Sequence, residues 1–180
     1  MALLIGIGAR KRTGKDTFAN YMTPWLLKAN KLVKKISFVE PARRYVKEVF
    51  PDCPDTDENK EEYRKRMIAV CKATLDIDPL AYTKSLVTEV KKLPNDCIVF
   101  APDLRRRSEY DYVKKHLPDQ FISIRVDRGE IDKEASFGEG DMDDDKLYDI
   151  LIDNNGTLEE LNFKAQMIYL ELMDSYEEVA

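Results

Sequence analysis

Gly8-Ala9-Arg10-Lys11-Arg12-Thr13-Gly14-Lys15-Asp16-Thr17 follows the first apolar run and is the part of the sequence that says most about the fold. It separates a strand-like run at 3–7 from a helical pattern that begins at Lys15. A small-residue turn in this context leaves backbone N–H groups free to surround phosphate oxygens, and the helix N-terminus adds partial positive charge. A lysine at the start of the helix can reach the transferred group. The stretch therefore predicts a phosphate-binding loop.

Two residues depart from the usual G-x-x-x-x-G-K-[ST] pattern, because Ala9 replaces the first glycine and Asp16 replaces Ser or Thr. Gly8 can supply flexibility one residue early, and Asp16 or Thr17 would then help to hold Mg²⁺, directly or through water. The alternative is an ordinary strand-to-helix turn with a solvated basic cap. The phosphate interpretation is favoured, because clustered bases at a helix N-terminus oppose the helix dipole and an anion relieves this.

Strand-like runs and helical patterns alternate along the whole chain. The apolar runs of strand length lie at 3–7, 36–39, 97–101, 121–126 and 148–152. The helical patterns lie at 15–27, interrupted by Pro24, and at 42–50, 58–74, 79–92, 108–116 and 157–173. This alternation predicts an α/β fold with a parallel sheet covered by helices on both sides. Ligands of such sheets bind beyond the carboxyl ends of the strands.

The 180 residues predict one domain, 1–180, and the formal net charge of −5 argues against a dedicated duplex-DNA binder. The acids are concentrated at 129–145, which holds eight acids and one base, Lys133. That segment is expected to be a long, solvated and self-repelling loop, and it lacks the Gly and Glu spacing of an EF-hand. The bases cluster elsewhere, at 10–15, 43–47, 64–66 and 105–107. This partition favours local sites for small anions.

The cysteines indicate the redox environment of the protein, and the single histidine limits the kinds of metal site that it can form. Cys53, Cys71 and Cys97 form no C-x-x-C pair, which fits a reducing cytoplasm better than a disulfide scaffold. His116 alone excludes a His-rich metal site. The opening apolar run is too short to span a bilayer, so a cytoplasmic protein is expected, with no membrane segment.

The residues after the second and third predicted strands are the other candidates for binding. An acid at the end of the third strand, Asp103, can hold Mg²⁺ or its waters, and Arg105 can bind a phosphate. Arg43 and Arg44 follow the second strand, and Arg64 lies on the next helix. Taken singly, these arginines are better explained as parts of solvated helix faces; Arg106 and Arg107 are undecided. A stripe at 67, 68, 71 and 75 is predicted to be core.

Several motifs resemble those of known kinase families. The motifs Gly14-Lys15-Asp16-Thr17, Phe38-Val39-Glu40-Pro41, Asp103-Leu104-Arg105 and residues 154–161 resemble the bacteriophage deoxynucleoside monophosphate kinases. Residues 63–68, Asp78-Pro79 and 123–126 resemble animal-type phosphomevalonate kinase. The G-K-D sequence is shared by both families, so Asp16 supports the resemblance. The likeness covers almost the whole chain.

The resemblance implies a three-layer P-loop NTPase fold of the nucleoside monophosphate kinase type, with a five-stranded parallel sheet. It also implies a helical acceptor-binding region at about 40–95 and a lid at about 127–146. Arg12, Thr13, Gly14, Lys15, Asp16, Thr17, Arg125, Arg128, Asn155 and Gly156 would bind ATP, with Arg125 and Arg128 at the lid base and the Asn155-Gly156 turn beside the adenine. Asp16, Thr17 and Asp103 would hold Mg²⁺, Arg43, Arg64 and Arg105 would hold the acceptor phosphate, and Lys15, Asp103 and Arg105 would be catalytic.

The function expected is ATP- and Mg²⁺-dependent phosphoryl transfer to a small phosphorylated acceptor, a deoxynucleoside monophosphate (dNMP) or its ribose counterpart. Such transfer needs positioning and charge neutralisation more than a strong base, in agreement with abundant arginines and one histidine. The location would be the cytoplasm, or the host cytoplasm for a viral protein, and the protein a monomer or homodimer without nucleic acid. The alternatives are a phosphomevalonate kinase and a nucleotide-binding module without catalysis.

Overall fold

A parallel five-stranded sheet forms the centre of the molecule. The computed structural model describes residues 2–10, 12–129, 142 and 144–177. The strands are β1 Leu3–Gly8, β2 Leu32–Lys35, β3 Cys97–Leu104, β4 Phe121–Asp127 and β5 Ile150–Asp153. Their order is β2-β3-β1-β4-β5, and every neighbouring pair is parallel. The carboxyl ends of all five strands therefore meet at one edge, and the predicted α/β fold is confirmed.

Helices connect the strands and cover both faces of the sheet. They are α1 Lys15–Lys28, α2 Glu40–Val49, α3 Lys60–Ile77, α4 Ala81–Val90, α5 Arg107–His116 and α6 Leu158–Glu177, with a 3₁₀ turn at Asp145–Leu147. None of the helices in these described ranges is long and apolar enough to cross a membrane.

The second strand lies four residues earlier than the sequence predicted. The apolar run 36–39 is not a strand; β2 is Leu32–Lys35, whose residues pair in register with 97–100 of β3. Because β2 is the edge of the sheet, it is mostly exposed and carries lysines, and so lacks the two-sided apolar pattern of a buried strand. Ile36 and Phe38 are buried instead by the core, just after the strand.

The first helix continues through Pro24, where the sequence predicted an interruption. Proline removes one backbone donor from the ladder. The buried face of α1, formed by Phe18, Met22 and Leu26, packs into the core beside α6 and holds the helix together across this position. Tertiary packing thus outweighs the local cost of the proline.

Two of the three cores lie on opposite faces of the sheet, and the third lies among α2, α3 and α4. In the third core Tyr63 and Tyr82 are 4% and 6% exposed, so both rings are packing groups in this structure. The predicted core stripe on α3 is wrong at Ile68, which is 48% exposed, whereas Met67 is buried. We call α2, α3, α4 and their connections the helical module; it lies within the region 40–95 assigned from the resemblance.

Candidate phosphate-binding and acceptor sites

The turn between β1 and α1 has a backbone that only certain residues adopt easily. Gly14 has a φ of +96°, and Arg12 has a φ of +67°. A Cβ atom on Gly14 would lie 2.4 Å from the side-chain nitrogen of Asn154. Glycine is therefore favoured at position 14 for two reasons: it adopts the left-handed backbone without strain, and it leaves room for the Asn154 side chain.

Asn154 holds the phosphate loop from the far end of the chain. Its side-chain nitrogen donates a hydrogen bond of 2.7 Å to the carbonyl oxygen of Thr13. Thr13 is buried, and its hydroxyl donates to the carbonyl oxygen of Arg10 at 3.0 Å. Asn154 directly follows β5, so the carboxyl end of the edge strand fixes the loop conformation.

Sequence reasoning selected Asn155 and Gly156 at this turn and missed Asn154. Asn155 is exposed, and its side-chain oxygen accepts from the backbone N–H of Gly129 at 2.8 Å. Gly156 lies against the Glu160 side chain at the start of α6. The signals available for Asn154 were that it is the first residue of the motif at 154–161 and that it directly follows the last strand.

Most of the predicted ATP-binding residues share one open pocket of about 280 Å³. The residues that line it are Arg12, Gly14, Lys15, Asp16, Thr17, Arg128, Asn154, Leu158 and Leu161. The N-terminus of α1 lies here, so its partial positive charge adds to that of the basic side chains. The arrangement suits an anion, as the sequence predicts for this stretch.

Asp16 contacts two lysines at the edge of this pocket. Its carboxylate accepts a hydrogen bond from the ammonium of Lys35, the last residue of β2, and lies 3.9 Å from the Lys15 ammonium. Lys35 was not a sequence candidate, because the second strand was placed four residues too late. The Lys35–Asp16 ion pair therefore brings the end of β2 next to the phosphate loop.

The oxygen donors predicted for Mg²⁺ lie in the first turn of α1, which follows β1, and near the end of the neighbouring strand β3. Asp16 and Thr17 line the pocket, and Asp103 is in β3. Carboxylate and hydroxyl oxygens are suitable ligands for this ion, so the donor set fits it. The described residues contain no cluster of three or more His, Cys, Asp or Glu side chains that could hold a metal ion. A bound Mg²⁺ would therefore take further ligands from phosphate and water.

Asp103 links β3 to the connection between β2 and α2. Its carboxylate accepts hydrogen bonds from the Ser37 hydroxyl at 2.5 Å and from the Phe38 N–H at 3.1 Å. Burial raises the pKa of Asp103, whereas these two bonds and the charges of Arg105 and Arg43 lower it. Arg105 and Arg43 are thus each close enough to Asp103 for their charges to act on its carboxylate, although Asp103 already has two protein donors.

Glu109 holds the backbone where β3 turns into α5. Its carboxylate accepts from the N–H groups of Arg105 and Arg106, both at 3.0 Å. Burial raises the pKa of Glu109, although the two N–H groups act in the opposite direction. Sequence reasoning missed this acid, which fixes the peptide from which the Arg105 side chain extends.

The arginines of the helical module occupy different environments. Arg43 contacts Asp55 at 3.1 Å and Glu40 at 3.9 Å. Arg64 is exposed on α3 and makes no hydrogen bond or ion pair with the described residues. Arg66 binds Asp52 at 3.1 Å and lies over the Phe50 ring, so it braces the 50–59 connection. This connection, 50–59, joins the end of α2 at Val49 to the start of α3 at Lys60.

Arg125 holds the segment before β5 against the start of the phosphate loop. It pairs with Gly8 in the β1–β4 register, and its guanidinium donates to the Met142 carbonyl at 3.2 Å. The Tyr148 hydroxyl donates to the same carbonyl at 2.9 Å, and a Cβ on Gly8 would lie 2.1 Å from that hydroxyl. The rest of the predicted lid, 130–141 and 143, lies outside the described residues.

Solved structures share this fold across almost the whole chain. An APS kinase of Mycobacterium tuberculosis in complex with AMPPNP and APS is 12% identical, with a TM-score of 0.54; the match covers 94% of this chain and 98% of that one. A gluconokinase from Sinorhizobium meliloti 1021 is 11% identical, also with a TM-score of 0.54, and the match covers 99% and 97%. No family model and no curated protein matches the sequence.

At such low identity the likeness concerns the fold. The chain has the fold of the P-loop kinases, so the predicted three-layer P-loop NTPase fold is confirmed. The closer resemblance to bacteriophage deoxynucleoside monophosphate kinases stays a prediction from sequence.

Proposed function

We propose that this protein transfers the γ-phosphoryl group of ATP to the phosphate of a deoxynucleoside or ribonucleoside monophosphate, giving the diphosphate, with Mg²⁺ as the cofactor. One observation carries the proposal: two cationic sites lie side by side at the carboxyl edge of the sheet. The first is the pocket around Lys15. The second surrounds Asp103 and includes Arg105 and Arg43. Since β1 and β3 are parallel neighbours with Gly8 opposite Leu104, the two sites adjoin.

The first site would hold the donor. Backbone N–H groups at the start of α1 and the Lys15 ammonium bind the β- and γ-phosphates and neutralise charge that develops during transfer. A bound Mg²⁺ would supply positive charge that offsets the negative charge of the phosphates. Asp16, Thr17 and Asp103 would hold it, and Arg128 and the Asn155-Gly156 turn would contact the remaining nucleotide.

The second site would hold the acceptor phosphate. Arg43 and Arg105 suit this role, because a guanidinium binds two phosphate oxygens at once. Arg64 would join them from α3. Since transfer between two phosphates depends mainly on alignment and charge neutralisation, the chain needs no strong general base.

A panel of acceptors tests this function. ADP formation is measured with ATP, Mg²⁺ and each of the deoxynucleoside monophosphates, ribonucleoside monophosphates and phosphomevalonate in turn. Activity with one or more nucleotides supports the proposal. Strong activity with phosphomevalonate alone would favour the second kinase family that the sequence resembles. Tight ATP binding with no ADP formed from any acceptor would indicate a binding module without catalysis.

A further inference from the structure

The 50–59 connection between α2 and α3 carries four acids and no base. Its carboxylates reach two arginines of the helical module, one on each of the flanking helices. Asp55 accepts a hydrogen bond from the Arg43 guanidinium at 3.1 Å, and Asp52 accepts one from Arg66 at 3.1 Å. The connection therefore places carboxylates of this chain on side chains that are suited to bind an anion from solution.

The two ion pairs differ in how firmly they are held. Two guanidinium nitrogens of Arg66 lie 3.1–3.3 Å from the Asp52 carboxylate, and the guanidinium lies 4.9 Å from the centre of the Phe50 ring. By contrast, the Arg43–Asp55 pair is joined through one guanidinium nitrogen, and its side chains are 44% and 53% exposed. Exposed pairs of this kind add little to stability, so an anion that binds Arg43 more strongly can displace Asp55.

Arg43 lies close to the end of the strand that carries Asp103. It belongs to the first turn of α2, and its backbone N–H donates to the Val39 carbonyl at 3.0 Å. The preceding residue, Phe38, donates its N–H to the Asp103 carboxylate at 3.1 Å. These backbone bonds attach the start of α2 to the end of β3, which Arg105 follows. Asp55 is thus an anion of this chain that is paired with an arginine beside the acceptor site.

We propose that Asp55 occupies Arg43 in the absence of acceptor and is displaced by the acceptor phosphate, so that its carboxylate limits how tightly the acceptor binds. This inference rests on the proposed function, in which Arg43 holds that phosphate. A phosphate monoester carries about 1.5–2 negative charges at pH 7 and can accept two parallel hydrogen bonds from a guanidinium. It therefore attracts Arg43 more strongly than the singly charged carboxylate does. When Asp55 is displaced, the connection stays attached to α3 through Asp52 and Arg66.

The test compares Asp55→Asn with Asp57→Asn, which removes the same charge from the same connection. The Asp57 carboxylate contacts Lys60 at 3.7 Å and so serves as the matched control. Three constants are measured: KM for the best nucleoside monophosphate of the acceptor panel, KM for ATP, and kcat. Asp55→Asn should lower KM for the acceptor by about two- to fivefold, which corresponds to the loss of one exposed ion pair. It should leave the other two constants unchanged, and Asp57→Asn should leave all three at wild-type values.

A double-mutant cycle shows whether the effect passes through Arg43. Isothermal titration measures the Kd of the same nucleoside monophosphate for wild type, Asp55→Asn, Arg43→Ala and the double variant. Asp55→Asn should tighten binding in the wild-type background and should have no effect where Arg43 is already alanine. An equal gain in both backgrounds would show a general effect of charge and would overturn the inference.

A higher KM for the acceptor in Asp55→Asn means that Asp55 instead holds Arg43 in position for the phosphate, and this overturns the inference. An unchanged KM, or an equal decrease in Asp57→Asn, also overturns it. If wild-type protein phosphorylates no nucleoside monophosphate, the proposed function fails and the inference fails with it. Failure of the Asp55→Asn prediction alone, in an active wild-type background, leaves the proposed function standing.

Discussion

The side-chain nitrogen of Asn154 lies 2.7 Å from the carbonyl oxygen of Thr13, across a separation of 141 residues. This one bond joins the carboxyl end of the edge strand β5 to the turn that precedes α1. It is buried, and the Thr13 carbonyl loses its side-chain donor without it. The conformation of the phosphate loop thus depends on the last strand of the sheet.

Replacing Asn154 by alanine should weaken ATP binding and lower stability. The change leaves the Thr13 carbonyl buried without its donor, which costs about 1–3 kcal/mol. Isothermal titration with ATP and Mg²⁺ should show roughly a tenfold weaker Kd, since 1.4 kcal/mol is a factor of ten. Asn162→Ala, an exposed change on α6, is the control. A larger loss in Asn155→Ala than in Asn154→Ala would contradict this and favour the role that the sequence assigns to Asn155.

A methyl group at Gly14 should disrupt the same loop. At a φ of +96° an L side chain is strained, and the new Cβ would lie 2.4 Å from the Asn154 side chain. Gly14→Ala should therefore reduce ATP affinity by more than about tenfold, with a lower Tm. Gly129→Ala is the matched control, because its Cβ would meet the Asn155 oxygen at an ordinary 3.5 Å. Equal ATP affinity in the two variants would show that the loop does not bind the nucleotide.

Removing the Lys15 ammonium should slow phosphoryl transfer strongly while the fold persists. The side chain lines the pocket and is 16% exposed, so its loss removes charge from the donor site without opening the core. Lys15→Ala should lower kcat by about 10²–10³, the range for loss of one group that stabilises developing charge. Lys115→Ala, on the exposed face of α5, should keep wild-type activity. Activity of Lys15→Ala within twofold of wild type at saturating ATP would refute the phosphate-loop assignment.

Lys35 should compete with Mg²⁺ for the Asp16 carboxylate. The two side chains form an exposed pair, which adds at most about 1 kcal/mol to stability. Lys35→Ala should lower the Mg²⁺ concentration that half-saturates ATP binding, because Asp16 then keeps only its longer contact with Lys15 and a nearby positive charge is gone. Lys34→Ala, one residue earlier on the same exposed strand, should leave this concentration unchanged. A higher Mg²⁺ requirement in Lys35→Ala would show instead that Lys35 supports the metal or phosphate.

Asp149 should make the stability of the sheet depend on pH. Burial raises its pKa, but the Ser123 N–H and hydroxyl and the Lys114 ammonium outweigh burial and lower it overall. A depressed pKa in the folded state stabilises the protein above the unfolded pKa, about 3.9, and this stabilisation is lost as the pH falls through the folded value.

Asp149→Asn should therefore have a lower Tm than wild type at pH 7. The difference in Tm should become smaller below about pH 4. Thermal melts followed by circular dichroism at several pH values measure this. Asp119→Asn, an exposed change after α5, serves as the control. If the Tm difference between Asp149→Asn and wild type stays constant down to the lowest pH measured, the charge of Asp149 does not contribute to stability.

The local sequence pattern was enough to predict the helices and strands that depend on residues close together in the sequence. The run 3–7, the turn that follows and the helix from Lys15 were all predicted, and so was the order of strands and helices. The second strand was misplaced because an edge strand such as β2 is recognised by its partner β3 and not by its own exposed, lysine-rich residues. The prediction that Ile68 is buried was wrong for a related reason. The helical spacing of apolar residues does not indicate which face of the helix packs against another element.

The phosphate loop, the parallel α/β order and the separation of acidic from basic segments were determined by the sequence itself, because each depends on residue types within a few positions of one another. The tertiary structure alone showed that Asn154 holds the loop and that Lys35 contacts Asp16. These relationships join residues that lie far apart in the chain. They depend on strand register and on helix packing, which bring distant residues together in ways that no local pattern records.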